Sequence, residues 1–150
     1  MTQIEESVEV DVPVSVAFGQ WTRFDEFPQF MQGVVGVQQR TPELTHWVVR
    51  VAGVEREFDA QLTELIPDDR VAWTTVAGDL KQAGVVTFHR LTDASTKVML
   101  QIDTRPHGVL ETVGEALGFV QRKAIDGLRE FKEHVEAHAQ RPNGGDGPSE

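Results

Sequence analysis

The clearest indication of the fold is the segment VLETVGEALGFVQRKAIDGLREFKEHVEAH, from Val109 to His138 near the C-terminus. Its apolar residues recur every three or four positions and therefore form one stripe along an α-helix: Leu110, Val113, Leu117, Val120, Ala124, Leu128, Phe131 and Val135. At 1.5 Å per residue this helix is roughly 45 Å long. Such a helix needs a broad apolar surface to cover its stripe, and we expect the remainder of the chain to supply one.

Upstream of this helix the sequence shows the two-residue alternation that is typical of half-buried strands. Ile4–Val12 alternates apolar and polar residues, and six further segments predict strands: Val35–Gln39, Thr45–Ala52, Glu55–Ile66, Arg70–Val76, Gly84–Leu91 and Lys97–Thr104. Short polar turns such as Pro67-Asp68-Asp69 separate them. Closely spaced strands without helices between them favour an antiparallel meander. We therefore predict an α+β fold in which a curved seven-stranded antiparallel sheet wraps around the long C-terminal helix.

Two short helices are predicted after the first strand. Pro13 suits the first turn of a helix, and Val14–Trp21 places apolar side chains on one face. Phe24–Met31 is dense in aromatic residues and contains Pro28, which favours a second short helix or an ordered turn. Residues 1–140 are expected to form a single domain, and residues 141–150, rich in Gly and Pro, a flexible tail.

The composition narrows the possible partners. The 150 residues carry a formal net charge of −10, which repels nucleic acid and anionic membrane surfaces. The chain has no cysteine, so disulfides, thiol catalysis and thiolate metal sites are excluded. The acidic N-terminus differs from a signal peptide, and no apolar run approaches the ~20 residues of a membrane span. We predict a cytoplasmic protein without stable membrane insertion; its oligomeric state is left open.

Several local motifs resemble one protein family. They are Val10–Pro13 (VDVP), Gln20–Met31 (QWTRFDEFPQFM), Arg56–Ala60 (REFDA) and Gly84–Phe88 (GVVTF). With the order of predicted elements, they resemble the helix-grip (START/Bet v1-like) fold. More narrowly, they resemble the polyketide cyclase/dehydrase-like (coenzyme Q-binding-protein-like) branch of the START superfamily, also called SRPBCC proteins. The resemblance implies an interior pocket for a lipid, a quinone, a polyketide or another hydrophobic ligand. We expect no cofactor.

Apolar side chains usually line such pockets, and the candidate ligand-binding residues are Trp21, Phe27, Phe30, Met31, Trp47, Phe58, Trp73, Phe88, Val113 and Leu117. The same aromatic residues could equally form an ordinary core, so both interpretations stay open. Three functions follow: a carrier or sequestering protein for a small hydrophobic molecule, a polyketide cyclase, dehydratase or aromatase, and a protein-interaction module.

Arg56, Glu64 and His89 are the candidate catalytic residues. Phe58, Ala60, Leu62 and Glu64 are predicted to share one face of their strand. An inward Arg56 would pair with a ligand carboxylate or enolate, or with Glu64; otherwise it lies at a strand end in solvent. His89 follows Phe88 and should face outward unless a bulge intervenes.

The pair His134 and His138, with Glu130 one turn earlier, has spacing that a metal site could use, but no third ligand carries a sequence signature. Histidines in the last turns of a helix also complement its dipole. We therefore expect no metal site.

Overall fold

The computed structural model describes residues 2–51, 53–78, 82–104 and 113–139. Its elements are β1 (Thr2–Val10), α1 (Val14–Trp21), a 3₁₀ turn (Phe24–Glu26), α2 (Phe27–Phe30), β2 (Val34–Gln39), β3 (Leu44–Val51), β4 (Val54–Ile66), β5 (Arg70–Gly78), β6 (Gln82–Thr92), β7 (Ser95–Thr104) and α3 (Val113–Ala139). The predicted tail, residues 141–150, lies outside the described residues.

All seven strands form one antiparallel sheet in the order β1-β7-β6-β5-β4-β3-β2. Strands β2 to β7 follow one another as a meander, and β1 completes the sheet beside β7. The predicted seven-stranded sheet with two short helices and a long C-terminal helix is confirmed. Local pattern was sufficient here because each element carries its own periodicity.

A β-bulge in β4 corrects one prediction. Leu62 lies opposite Trp73, whereas Glu64 lies opposite Ala72, so one extra residue separates the two pairs on β4. Such a bulge turns the following side chains to the other face of the sheet. Glu64 therefore does not share a face with Leu62, and its half-exposed side chain forms an ion pair with Arg70 at 3.6 Å.

The C-terminal half of α3 closes one end of the concave face of the sheet. Its stripe of Ala124, Leu128, Phe131 and Val135 is buried against the core. Polar contacts fasten the same half of the helix to the end of β1. Lys132 Nζ donates to the carbonyl of Glu9 at 2.9 Å, and the N–H of Asp11 donates to Glu136 at 2.7 Å. Packed apolar side chains therefore fill the interior at this end of the molecule.

Candidate functional site

Aromatic rings run across the concave face from the helices toward the middle of the sheet. The ring centroids of Trp21 and Phe27 lie 5.4 Å apart, those of Phe27 and Trp47 5.4 Å, and those of Trp47 and Phe58 6.2 Å. Trp21 and Phe27 are buried, whereas Trp47 is only half-buried. This aromatic chain (Trp21, Phe27, Trp47 and Phe58) thus begins in the filled core, passes through the half-buried Trp47 and ends at Phe58, which is buried.

The polar edge of Trp47 is held inside the sheet. Its Nε1–H donates to the Thr45 hydroxyl at 2.8 Å, and that hydroxyl donates to the carbonyl of Ala60 at 3.2 Å. Thr45 is itself buried. An indole N–H away from water needs such a partner, so the orientation of the Trp47 ring is set by the sheet.

A second apolar group crosses the sheet from β4 to β7. Register pairs Leu62 with Trp73, Trp73 with Gly84, and Gly84 with Ile102; we call these four residues the tryptophan row. Trp73 is half-buried, while Leu62 and Ile102 are buried. A Cβ on Gly84 would lie 2.4 Å from Cζ2 of Trp73, so the indole lies directly on the glycine.

The other candidate ligand-binding residues lie toward the filled end. Phe88 is buried, with its ring centroid 5.5 Å from that of Phe18. Phe30 stacks on His134 at 4.3 Å, and the end of the Met31 side chain lies beside Gly127 of α3. Val113 and Leu117 belong to α3, but their side chains lie outside the described residues.

The three candidate catalytic residues are not brought together. Arg56 lies opposite Val49, on the same sheet face as the neighbouring pair Trp47 and Phe58, but its side chain is exposed near the β3–β4 hairpin. Glu64 is turned to the opposite face by the bulge. Among the alternatives for Arg56, an internal ion pair with Glu64 is therefore excluded.

His89 lies on the convex face. It is exposed, whereas the preceding Phe88 is buried, so the expected alternation is confirmed. Its Nε2 contacts the Thr87 hydroxyl at 2.9 Å. Asp59 also faces outward and contacts Nδ1 of His46 at 2.6 Å, with Glu57 3.1 Å from the other ring nitrogen. The His46 cluster was not predicted, because only the β3–β4 register brings these residues together.

An open cleft of about 540 Å³ lies beside the β3–β4 hairpin. It is lined by Gln32, Gly33, Val34, Val35, Arg50, Gly53 and Lys123. Arg50 is paired with Glu55 at 3.0 Å. Its lining therefore combines apolar side chains of β2 with one basic side chain from β3 and one from α3.

The contact between α2 and α3 contains a histidine with an unsatisfied nitrogen. Within the described residues, Nε2 of His134 is buried without a hydrogen-bond partner, and its ring lies 4.1 Å from that of His138. Burial and, secondarily, His138 lower the pKa of His134, while Glu26 acts to raise it. Burial also raises the pKa of Glu130, although the N–H of Gln32 bonded to this carboxylate opposes the shift.

Acidification is expected to weaken the fold through His134. A histidine with a lowered pKa contributes stability that is complete above pH ~6.5 and is lost as the pH falls toward its folded-state pKa. Glu130, with a raised pKa, acts in the opposite sense and loses its contribution as the pH rises. His134→Phe keeps a ring on Phe30 and removes the titration. Urea unfolding at neutral and mildly acidic pH measures how much unfolding free energy is lost on acidification, and this loss should be smaller for the variant than for wild type. Equal losses would show that His134 does not cause the acid sensitivity.

In the described part of the chain, no three His, Cys, Asp or Glu side chains are grouped as metal ligands. Glu130 instead accepts a hydrogen bond from the backbone of Gln32 at 3.1 Å. None of the helices in the described ranges combines the length and apolar composition that a membrane span requires.

Comparison with known proteins supports the family resemblance. The family model described as polyketide cyclase / dehydrase and lipid transport matches residues 10–133. An uncharacterized 17.2 kDa protein encoded in the melC2-rnhH intergenic region of Streptomyces lincolnensis is 58% identical over 144 residues, covering 96% of each chain.

Solved structures share the same fold. The Zhui aromatase/cyclase from Streptomyces sp. R1128 aligns with a TM-score of 0.83 at 16% identity, over 95% of this chain and 98% of its own. A START superfamily protein from Mycobacterium smegmatis aligns with a TM-score of 0.75 at 15% identity, over 89% and 98% of the two chains. The expected START-type fold is confirmed, and the chain belongs to the polyketide cyclase / dehydrase and lipid transport family.

Proposed function

We propose that this protein binds a small hydrophobic molecule containing fused rings, held between the concave face of the sheet and α3. The observation that carries the proposal is the incomplete burial of Trp47 and Trp73 on a face whose other end is a filled core. Covering a large apolar side chain is worth about 1.5–3 kcal/mol. Because both indoles are already half-buried, a ligand lying on them would gain part of that free energy.

The surroundings of the indoles favour a flat ligand. Trp47 and Phe58 have parallel ring planes, and the indole of Trp73 lies flat enough on the sheet to occupy the space over Gly84. Aromatic faces gain additional free energy from stacked rings beyond simple burial. A quinone or an aromatic polyketide presents such rings, and the family description includes both polyketide enzymes and lipid transport.

Binding without catalysis is the function that we favour. General acid–base chemistry requires groups within hydrogen-bond reach of one substrate, whereas Glu64 and His89 lie on the face opposite the indoles. The chain also lacks tyrosine, so it has no phenol to orient an enolate. We further propose a cytoplasmic location, since a chain without cysteine needs no oxidising compartment.

A cyclase or dehydratase acting on a polyketide is the second candidate function. One observation favours it: Arg56 lies on the same sheet face as Trp47 and Phe58. Its guanidinium could donate hydrogen bonds to a developing enolate oxygen. In that case Arg56→Gln would abolish turnover of a polyketide mimic while leaving ligand affinity within a few-fold; under the carrier function no turnover exists to lose.

The test of the proposed function is direct. Purified protein is titrated with a naphthoquinone, an anthraquinone and a fatty acid by calorimetry, and the complexes are examined by native mass spectrometry. We expect one bound quinone per chain, and the same affinity for His89→Gln, which alters only the convex face. The proposal is overturned if the protein binds neither quinone; binding of the fatty acid alone would show a ligand without fused rings.

A further inference from the structure

The tryptophan row combines the largest and the smallest side chains of the sheet on neighbouring strands. Trp73 on β5 lies opposite Gly84 on β6, and the atoms of its six-membered ring that would meet a Cβ on Gly84 lie only 2.4–2.8 Å from that position. Real Cβ atoms essentially never lie so close to a neighbouring atom. The indole therefore occupies the space that any other residue at position 84 would fill.

The indole has few other places to lie. On one side Leu62 is buried opposite Trp73, and on the other Ile102 is buried beyond Gly84. Below it is the backbone of the sheet, to which the flat side chain is pressed because the glycine has no Cβ. Packed interiors do not absorb extra volume without displacement, so an indole pushed off Gly84 must rise from the concave face toward the interior.

We infer that Trp73, seated on Gly84, sets the size limit of the ring system that the interior accepts. This inference rests on the proposed function, because it concerns the same concave face. With Gly84 present the indole lies low and leaves depth above it. The pair is thus a specificity determinant, in which the smaller residue controls the height of the larger one.

The experiment measures ring-size preference rather than binding alone. Wild type, Gly84→Ala, Trp73→Leu and the double variant are titrated by calorimetry with quinones of two, three and four fused rings. Gly84→Ala should weaken the binding of the largest quinone that wild type accepts about tenfold, the effect of overpacking a site. The two-ring compound fits in the shallower space that remains above the raised indole, and its affinity should stay within about threefold.

Trp73→Leu should shift the preference in the opposite direction and strengthen the binding of the four-ring quinone relative to the two-ring compound. In the double variant the alanine meets no indole, so its ring-size preference should match that of Trp73→Leu. If replacing Trp73 removes the effect of Gly84→Ala in this way, that effect acts through the indole and not through general damage to the fold. Thermal unfolding of each variant without ligand identifies any variant that does not fold. If Gly84→Ala does not fold, the ring-size preference of Trp73→Leu still tests the inference.

The possible failures are distinguishable. If wild type binds none of the quinones, the proposed function is overturned and the inference with it. If wild type binds quinones but Gly84→Ala weakens all ring sizes equally, or the double variant behaves as Gly84→Ala, the size-limit role of Trp73 is wrong while ligand binding stands.

Discussion

Replacement of Phe131 by alanine is expected to lower the free energy of unfolding by about 3–5 kcal/mol. Phe131 is completely buried on α3, and its ring centroid lies 4.9 Å from that of Trp21 and 6.3 Å from that of Phe30. It therefore joins the long helix to both short helices. The variant loses the buried ring and leaves a cavity where three elements meet.

Urea unfolding followed by circular dichroism measures this loss. Ile125→Ala is the matched control, because Ile125 lies on the same helix with 42% of its surface exposed; its change should stay within about 1 kcal/mol. Phe131→Leu, which refills part of the space, should fall between the two. Equal losses for Phe131→Ala and Ile125→Ala would show that α3 is not held through this contact.

Substitution of Gly78 by alanine is expected to cost about 2–5 kcal/mol, since backbone strain and overpacking act together. Gly78 has a φ of +113°, a conformation that residues with a side chain rarely adopt. A Cβ there would lie 2.4 Å from the carbonyl oxygen of Glu57 and 2.5 Å from Cα of Phe58. Both are backbone atoms, so relief requires β4 and β5 to separate.

Gly53 provides the control for this prediction. It also has a positive φ, of +82°, but no atom lies within 4 Å of the position of its Cβ. Gly53→Ala therefore carries conformational strain without a clash and should cost only about 1 kcal/mol. The difference between the two variants in unfolding free energy, measured with urea, gives the cost of the clash. Equal losses would show that the close approach of β5 to Phe58 does not contribute to the cost of Gly78→Ala.

The two halves of the concave face explain how one fold combines stability with a binding surface. Around Phe131 and Val135 the sheet, the short helices and α3 fill their common interior. Around Trp47 and Trp73 large aromatic surface remains partly uncovered. The first half supplies the stability that allows the second to remain incompletely packed, an arrangement often found where a protein holds a ligand.

The elements themselves could be predicted from the sequence. The helix Val14–Trp21 has the same bounds in the structure, and the strands agree to within a few residues. The family motifs also led to the correct superfamily. Each helix, strand and motif depends on residues that are close together in the sequence, so it can be predicted from the local order of apolar and polar residues.

The candidate site was less accessible to prediction. The aromatic residues of the concave face were all named from the sequence as candidates, but the sequence did not distinguish Phe88 in the filled core from Trp73 on the partly uncovered face. Gly84 was noted only as part of a family motif. Its importance depends on lying opposite Trp73, and the register between β5 and β6 is not encoded in either strand alone.

The set of elements and their amphipathic faces follow from the amino-acid pattern alone, because the 3.6-residue and two-residue periods are local properties. Which residues meet across the sheet depends on the folded chain. The β4 bulge turned Glu64 away from Leu62, and pairing placed Trp73 on Gly84 and His46 beside Asp59. The physical reason is that a shift of one residue in register exchanges the two faces of a strand, and long-range packing sets that register.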